Sequence, residues 1–372
     1  MRTIRVLTGA TCFVLVTALA SSAVARGPAP QVRAGKAVAS HPVKNGLNGV
    51  AGFTFAPGGK IWYLDRGTGQ VHVLNPKNHR DHLFFTITHV DGSGERGALG
   101  IALRPDWPKK PFVYIYVTRN LHGKSRNYLI RLRAKNGRGT GLHVLLSQPV
   151  PGGTTQSYHN GGHILFGPDR KLYVMIGDAH NSANAQILNG SNLRGKIMRL
   201  DPDGTAAAGN PHGRVWSYGH RNSFGFTFDP KTNRLWETEN GPECNDEINL
   251  IVKGANFGWG PNENCSGTSP GDTNNSGPMP RIMPKYVFDT TIGITGAAFC
   301  INCGIPSLNG DLVFGDVNTA SLRSLRMNAT RTGFTGTDHV LLTGLDGVYS
   351  VEVSPNGRIY YSGQNGIYRL GP

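Results

Sequence analysis

One pattern of apolar and polar positions recurs six times along this chain of 372 residues. Each copy has an apolar residue, a turn of Pro, Asp or Asn that usually includes Gly, and then an Ile, Leu or Val with aromatic residues. A second short apolar run closes each copy. The copies begin at Phe55, Leu103, Phe166, Phe228, Leu308 and Val353. Short β-branched and aromatic runs between such turns are typical of antiparallel strands and hairpins.

The spacing of the copies predicts how the hairpins assemble. A unit that recurs every ~40 to 80 residues indicates a radial or stacked array. Radial closure protects strand edges that an open array would expose, and no helical periodicity of useful length is present. We therefore predict an all-β fold, a six-bladed β-propeller of four-stranded antiparallel blades over residues 43–372. Two β-sandwiches in tandem are the alternative, but they would not repeat one pattern in both halves.

The composition agrees with a folded, turn-rich protein. Gly (51 residues) and Pro (23 residues) make up about a fifth of the chain, which argues against a helical bundle. Hydrophobic residues contribute 38% and charged residues 16%, so the chain can form a core and is not globally disordered. The net charge of +15 favours contact with an anionic surface or ligand.

The first residues have the layout of a secretory signal. Two arginines precede an apolar stretch, which ends in small residues with Ala-Val-Ala. We expect a signal peptide at residues 1–25, a flexible lead-in at 26–42, and a mature protein that is secreted or periplasmic. The apolar stretch is shorter than the roughly 20 residues that a spanning helix needs. Export also argues against nucleic acid as a partner of the basic segment from Arg104 to Arg138, which we interpret as a solvated edge.

Removal of the signal peptide leaves an even set of cysteines. They are Cys244, Cys265, Cys300 and Cys303. In an exported chain such a set is more consistent with disulfides than with a zinc site. We favour pairs of Cys244 with Cys265 and of Cys300 with Cys303 among the possible pairings, because each pair lies within one loop-rich stretch.

The most unusual stretch of the sequence is Tyr158-His-Asn-Gly-Gly-His. If the strand after His163 runs outward and the strand from Leu172 returns, Asp178 comes back to the level of His159. A carboxylate next to an imidazole makes a general base, because it fixes the tautomer and stabilises the imidazolium. We therefore predict His159 and Asp178 as a catalytic pair. The alternative is a histidine that only hydrogen-bonds a turn.

A second polar cluster follows further along the chain. Arg221 and Asn222 provide a planar donor fork and an amide, which suit carboxylates or quinone oxygens. The turn at Gly241 and Pro242 is next to several acidic residues, and its carbonyl oxygens could hold a hard cation such as calcium.

Seven motifs occur in a fixed order over most of the mature chain. They are Glu95-Arg-Gly-Ala-Leu-Gly-Ile-Ala-Leu-Arg-Pro-Asp, His159-Asn-Gly-Gly, Leu193-Arg-Gly-Lys-Ile-Met-Arg-Leu, Gly219-His-Arg-Asn, Glu239-Asn-Gly-Pro, Asp246-Glu-Ile-Asn and Asn256-Phe-Gly-Trp. In this order and spacing they resemble the soluble glucose/sorbosone dehydrogenase family, which includes dehydrogenases that depend on pyrroloquinoline quinone (PQQ). The resemblance implies that His159 takes the proton of a sugar hydroxyl while hydride passes to PQQ, and that Asp178 orients His159.

The resemblance also implies a cofactor site. Arg221 and Asn222 would contact PQQ, and the backbone oxygens of Gly241 and Pro242 would bind the calcium that polarises it. Glu95 stands where the glucose-specific members have Gln, so it is expected next to the cofactor with an altered contact.

One departure from the family pattern affects the cofactor. Glucose-specific members supply Lys and Arg from their last two blades, whereas the matching stretches here, which begin at Thr295 and Gly315, contain no basic residue. Arg323 and Arg326 are the candidates to substitute, if a loop is shifted.

These observations together predict a secreted sugar dehydrogenase. It would use PQQ and calcium to oxidise an aldose at the anomeric carbon to the lactone, and an external acceptor would take the electrons. A non-catalytic propeller that binds a carbohydrate or an anionic cell-wall polymer is the alternative. A calcium-dependent lactone hydrolase on a similar propeller is a third reading, which the acids near Gly241 suit but the Arg221-Asn222 pair does not.

Overall fold

The six repeated segments form six sheets of four antiparallel strands in the computed structural model, which describes residues 38–153, 156–260 and 275–372. The predicted signal peptide and most of the lead-in lie outside the described residues. Each copy of the pattern belongs to a different sheet, because its turn joins the two innermost strands of that sheet. The predicted six-bladed β-propeller is confirmed, and the two tandem sandwiches are excluded.

The first half of the described chain forms three blades and the strand that precedes them. The first strand is β1 (Ala39–Asn45). Blade 1 consists of β2 (Phe53–Phe55), β3 (Ile61–Leu64), β4 (Gln70–Asn75) and β5 (Arg80–Thr86). Blade 2 consists of β6 (Ala98–Leu103), β7 (Phe112–Leu121), β8 (Lys124–Lys135) and β9 (Arg138–Pro149). Blade 3 consists of β10 (Ile164–Phe166), β11 (Leu172–Ile176), β12 (Lys196–Leu200) and β13 (Val215–Tyr218).

The second half forms the other three blades. Blade 4 consists of β14 (Ser223–Phe228), β15 (Leu235–Glu239), β16 (Glu247–Ile251) and β17 (Tyr286–Val287). Blade 5 consists of β18 (Ile294–Phe299), β19 (Leu312–Asp316), β20 (Leu322–Met327) and β21 (Phe334–Leu342). Blade 6 consists of β22 (Ser350–Val353), β23 (Ile359–Ser362), β24 (Gly366–Gly371) and the first strand, β1.

Helix is a minor component of the described residues. It is limited to α1 (Ala183–Gln186) and a 3₁₀ turn (Pro306–Leu308). None of the helices in this part of the chain has the length and apolar character needed to cross a membrane.

The two ends of the described chain meet in blade 6. Strand β1 pairs antiparallel with β24, with Ala39 opposite Gly371, and it covers an edge that would otherwise be exposed. This pairing corrects the predicted start of the propeller, because residues 39–42 belong to β1 and not to a flexible lead-in.

The innermost strands of neighbouring blades lie close together around the centre. Strand β6 contacts both β2 and β10, and β18 contacts both β14 and β22. At one such contact a Cβ on Gly225 would lie 2.7 Å from the Cα of Gly296, so only glycine fits. This packing brings the beginnings of the innermost strands, which are far apart in sequence, around one axis.

One predicted disulfide is present. Cys300 and Cys303 are bonded to each other in the loop between β18 and β19. The pairing of Cys244 with Cys265 stays a prediction, because Cys265 lies outside the described residues.

Candidate active site

A cavity of about 450 Å³ lies where the innermost strands begin. Each of the blades contributes to its wall, as shown by Ala51, Leu99, His163, Phe224, Thr295 and Tyr349. The volume falls within the range of small-molecule sites, roughly 300 to 1,000 Å³. All but one of the predicted site residues line this cavity: Glu95, His159, Arg221, Asn222, Gly241 and Pro242. The exception is Asp178, which is fully buried.

The structure brings His159 and Asp178 into direct contact. Strands β10 and β11 form an antiparallel hairpin, so the chain returns and places Asp178 at the level of His159. The Nδ1 of His159 lies 2.7 Å from Oδ1 of Asp178. A Cβ on Gly177 would lie 2.7 Å from the carbonyl carbon of His159, so this glycine permits the close approach. The contact leaves Nε2 as the ring nitrogen that is available to the cavity.

Two further donors hold the carboxylate of Asp178. The backbone N–H of His180 donates to Oδ1 over 2.8 Å, and the indole Nε1–H of Trp259 donates to Oδ2 over 3.1 Å. The ring of His180 also stacks on that of His159, with centroids 5.0 Å apart. Asp178 is therefore a fixed partner for the imidazole. The role of Trp259 was not predicted from the sequence, although this residue ends the motif Asn256-Phe-Gly-Trp.

The side chain of Glu95, in the loop before blade 2, forms hydrogen bonds with the loops before blades 3 and 4. Its Oε2 accepts hydrogen bonds from the backbone N–H of His159 over 2.7 Å and from Nδ2 of Asn222 over 3.1 Å. Asn222 in turn accepts from the backbone N–H of Gly161 over 3.3 Å. Glu95 therefore fixes the backbone of His159 and the orientation of the Asn222 amide, in addition to lining the cavity.

The guanidinium of Arg221 lies on the predicted calcium turn. Its Nη1 donates to the carbonyl oxygens of Gly241 and Asn240 over 2.8 and 3.0 Å. Its Cζ lies 5.2 Å from the centre of the Trp259 ring, which is cation–π geometry. The turn and the arginine thus form one unit on the wall of the cavity.

Asp246 lies behind this turn, and its carboxylate accepts hydrogen bonds from backbone N–H groups and from a hydroxyl. Asp246 accepts from the backbone N–H groups of Gly241 (2.9 Å), Ile292 (2.8 Å) and Ile294 (3.1 Å) and from the hydroxyl of Thr291 (2.6 Å). Burial raises the pKa of Asp246 in spite of these bonds. The carboxylate of Asp246 therefore holds the turn in place, and the oxygens that the turn itself offers to a cation are neutral backbone carbonyls.

A buried acidic cluster lies behind Arg221. The Nδ1 of His220 lies 3.0 Å from Glu237 and 3.3 Å from Glu239, and these three residues have the spacing of a metal site. Burial lowers the pKa of His220, but the two carboxylates outweigh it and raise this pKa to about 10. Burial also raises the pKa of Glu237, to about 7. The two carboxylates therefore stabilise the imidazolium form of His220.

The arginines suggested to replace the missing cations are engaged elsewhere. Arg323 pairs with Asp316 over 2.8 Å and with Asp338 over 2.6 Å, and Arg326 pairs with Asp311 over 3.0 Å. Neither arginine is among the residues that line the cavity. The suggestion that one of them substitutes is therefore wrong.

A different arginine, which the sequence analysis missed, reaches the cavity from blade 1. Arg66 lines the wall, and its Nη1 donates to the carbonyl oxygens of Gly94 (2.7 Å) and Arg96 (2.8 Å), on either side of Glu95. Arg66 follows β3, which runs antiparallel to β2 and so ends where β2 begins, at the edge that forms the site. That topology is the signal that could have identified it. Arg66 and Arg221 are the two arginines in the described wall.

Comparisons with known proteins identify the family of the chain. A family model described as Glucose / Sorbosone dehydrogenase matches residues 47–369. Quinoprotein glucose dehydrogenase B of Acinetobacter calcoaceticus is 31% identical over 248 residues, which are 58% of this chain and about half (51%) of that protein. Aldose sugar dehydrogenase YliI of Escherichia coli K12 is 28% identical over 72% of this chain and 80% of its own. The PQQ-bound aldose sugar dehydrogenase of Streptomyces coelicolor superposes with a TM-score of 0.76 at 26% identity, covering 90% of this chain and 98% of that one.

Proposed function

Because the chain belongs to the glucose/sorbosone dehydrogenase family, we propose that it is a PQQ-dependent oxidoreductase that oxidises an aldose at the anomeric carbon to the lactone. The observation that carries the proposal is the contact of His159 with Asp178, over 2.7 Å, at a cavity to which all the blades contribute. A buried carboxylate paired with an imidazole that lines a small-molecule cavity is the arrangement of a general base.

The residues of this chain would handle the proton of the substrate. His159 accepts the proton of the anomeric hydroxyl at Nε2, and the negative charge of Asp178 stabilises the imidazolium that forms. The stacked ring of His180 and the hydrogen bond from Glu95 to the backbone of His159 keep the imidazole in place. PQQ, when bound, supplies the acceptor for the hydride that leaves the anomeric carbon.

The donors in the cavity suit a polyanionic cofactor. Arg66, Arg221 and Asn222 would hold PQQ, because guanidinium forks and amides match carboxylate and quinone oxygens. Calcium would be held by the carbonyl oxygens of Gly241 and Pro242 and would supply Lewis-acid chemistry there.

The proposal includes export from the cytoplasm. The layout of the first 25 residues and the disulfide between Cys300 and Cys303 support an oxidising compartment. A small sugar, and an external electron acceptor outside the cytoplasm, are then the partners of the reaction.

Reconstitution tests this function. Purified protein is loaded with PQQ and Ca²⁺, and dye reduction is followed across a panel of aldoses. We expect turnover, a primary isotope effect when the anomeric hydrogen is replaced by deuterium, and no turnover of 1,5-anhydroglucitol, which lacks the anomeric hydroxyl. Absence of both PQQ binding and dye reduction would reject the proposal.

A non-catalytic carbohydrate-binding propeller is the second candidate. It is favoured by the wall that blades 5 and 6 form, where the neutral residues Thr295, Asn318 and Tyr349 stand in place of cations. Binding of glycans by the purified protein, with no measurable affinity for PQQ, would select this candidate.

A further inference from the structure

The motif Asn256-Phe-Gly-Trp ends in Trp259, whose side chain contacts both Asp178 and Arg221. Trp259 is only 3% exposed. Its Nε1–H donates to Oδ2 of Asp178 over 3.1 Å, and its ring lies beneath the guanidinium of Arg221 at 5.2 Å. One indole therefore contacts the partner of the base through its edge and the cofactor-binding arginine through its face.

The backbone of Trp259 is held from two sides. Its N–H donates to the carbonyl oxygen of Gly219 over 2.9 Å, and its carbonyl oxygen accepts from Nε2 of Gln186 over 2.6 Å. Gln186 also exchanges hydrogen bonds of 2.9 and 3.0 Å with the amide of Asn256. The backbone of Trp259 is thus fixed by hydrogen bonds to the segment before β14 and to α1. This fixes where the indole lies relative to Asp178 and Arg221.

On this basis, and building on the proposed function, we propose that Trp259 is a positioning residue that sets the strength of the base and the placement of Arg221 together. Its N–H withdraws charge from the carboxylate of Asp178, which moderates how strongly Asp178 stabilises the imidazolium of His159. Its ring face holds the guanidinium over the turn by a cation–π contact.

Other groups around the pair are held by contacts that do not involve the indole of Trp259. The ring of His180 stacks on His159, the carboxylate of Glu95 accepts from its backbone, and Lys196 interacts electrostatically with Asp178. The backbone N–H of Asp178 donates to the carbonyl oxygen of Arg221 over 2.7 Å. A change in proton affinity in Trp259→Phe, which keeps an aromatic face beneath Arg221, therefore reports the loss of the indole donor.

Two substitutions separate the two contacts. Trp259→Phe keeps an aromatic face beneath Arg221 but removes the N–H, whereas Trp259→Leu removes both. In Trp259→Phe, the midpoint of the His159 ring titration, followed by NMR without cofactor, is expected to rise by about 0.5 to 1 pH unit, because the carboxylate loses a donor. The acidic limb of the kcat profile is expected to move to higher pH by the same amount, with the sugar KM unchanged.

The affinity for PQQ tests the contact between the Trp259 ring and Arg221. The Kd for PQQ is expected to stay within about threefold of the wild-type value in Trp259→Phe and to rise about 5- to 20-fold in Trp259→Leu. Thermal unfolding is recorded first, and Trp259→Met replaces the leucine variant if that variant does not fold.

The matched control is Trp236→Phe. Trp236 is equally buried, its ring contacts Phe334, and its Nε1 has no hydrogen-bond partner among the described residues. We expect this control to leave the His159 midpoint and the PQQ Kd unchanged. An unshifted His159 midpoint in Trp259→Phe would overturn the proposal. Because that titration needs neither cofactor nor turnover, it decides the role of Trp259 separately from the proposed dehydrogenase activity.

Discussion

The guanidinium of Arg221 donates a hydrogen bond of 2.8 Å to the carbonyl oxygen of Gly241. The same oxygen is one of the two proposed calcium ligands. A divalent cation and a guanidinium repel each other, so they compete for this oxygen until a polyanionic ligand attracts the arginine toward itself. Binding of calcium and of PQQ is therefore expected to be coupled.

The first prediction concerns this coupling. The affinity for Ca²⁺ is expected to be at least about tenfold higher in the presence of PQQ than in its absence, and PQQ affinity is expected to increase by the same factor with Ca²⁺. Arg221→Met should strengthen Ca²⁺ binding to the cofactor-free protein while it weakens PQQ binding. Calorimetric titrations with and without PQQ measure both effects, and equal Ca²⁺ affinities in the two titrations would contradict the competition.

The second prediction concerns the base. His159→Gln keeps a polar side chain of similar reach but cannot accept the proton, so kcat should fall by about 10²- to 10⁴-fold. The Kd for PQQ should stay within about threefold, because His159 is not among the residues that we expect to hold the cofactor. The exposed His143 on β9 provides the control, and His143→Gln should retain wild-type turnover. Turnover of His159→Gln within tenfold of wild type would show that another group is the base.

The third prediction concerns Glu95. Its Oε2 accepts from both His159 and Asn222, and the side-chain oxygen of Gln can accept the same two bonds. Glu95→Gln should therefore keep kcat/KM within about fivefold, whereas Glu95→Ala removes the connection and should lower kcat/KM by about 10- to 100-fold. Steady-state kinetics on the two variants distinguish this positioning role from a requirement for negative charge, which Gln would not satisfy.

The fourth prediction concerns a buried lysine below the site. The Nζ of Lys196 donates to the carbonyl oxygens of Arg194 (2.6 Å), Asn184 (2.7 Å) and Ala185 (3.3 Å). These hydrogen bonds hold α1 and the loop after Asp178 in place. Lys196→Met leaves these oxygens without the donor, so the free energy of unfolding in urea should fall by about 3 kcal/mol or more.

The control for this variant is Lys171→Met in the same blade. Lys171 forms a partly exposed ion pair with Asp201, so its removal should cost about 1 kcal/mol or less. Equal losses in the two variants would argue against a special structural role for Lys196.

The fifth prediction concerns acid stability. The guanidinium of Arg331 binds both oxygens of the buried Asp229 over 2.6 and 2.8 Å and so links blade 5 to blade 4. Burial raises the pKa of Asp229, but the bonds from Arg331 and Thr232 outweigh it, and the pKa lies below its ordinary value. The unfolded chain therefore binds the proton at a higher pH than the folded chain does, and the stabilisation present above pH ~4 is lost as the pH falls further.

Urea unfolding between about pH 5 and pH 2.5 measures this effect. Asp229→Asn should be less stable than wild type at pH 7 and should lose less of its unfolding free energy on acidification. Parallel curves for the two proteins would show that Asp229 does not contribute to the acid dependence.

The sequence was sufficient for the strands and for six of the residues that line the cavity. The repeated turns predicted the hairpins because strand and turn preferences act over a few residues. The return of β11 next to β10 was also local, so it placed Asp178 beside His159 correctly. Arg66 and Trp259 were missed because their roles depend on partners in other blades or in distant loops.

What the sequence alone determined is the number of blades, the chemistry of the residues at the start of each innermost strand, and the neighbouring positions of His159 and Asp178. The tertiary structure decided which groups meet. Glu95 accepts a hydrogen bond from Asn222, which is 127 residues away in sequence. Arg221 donates to the carbonyl oxygen of Gly241. Arg323 forms ion pairs with Asp316 and Asp338 and does not line the cavity. The reason is physical: a charged side chain selects its partner by distance and desolvation in the folded ring, and neither quantity is encoded in a short stretch of sequence.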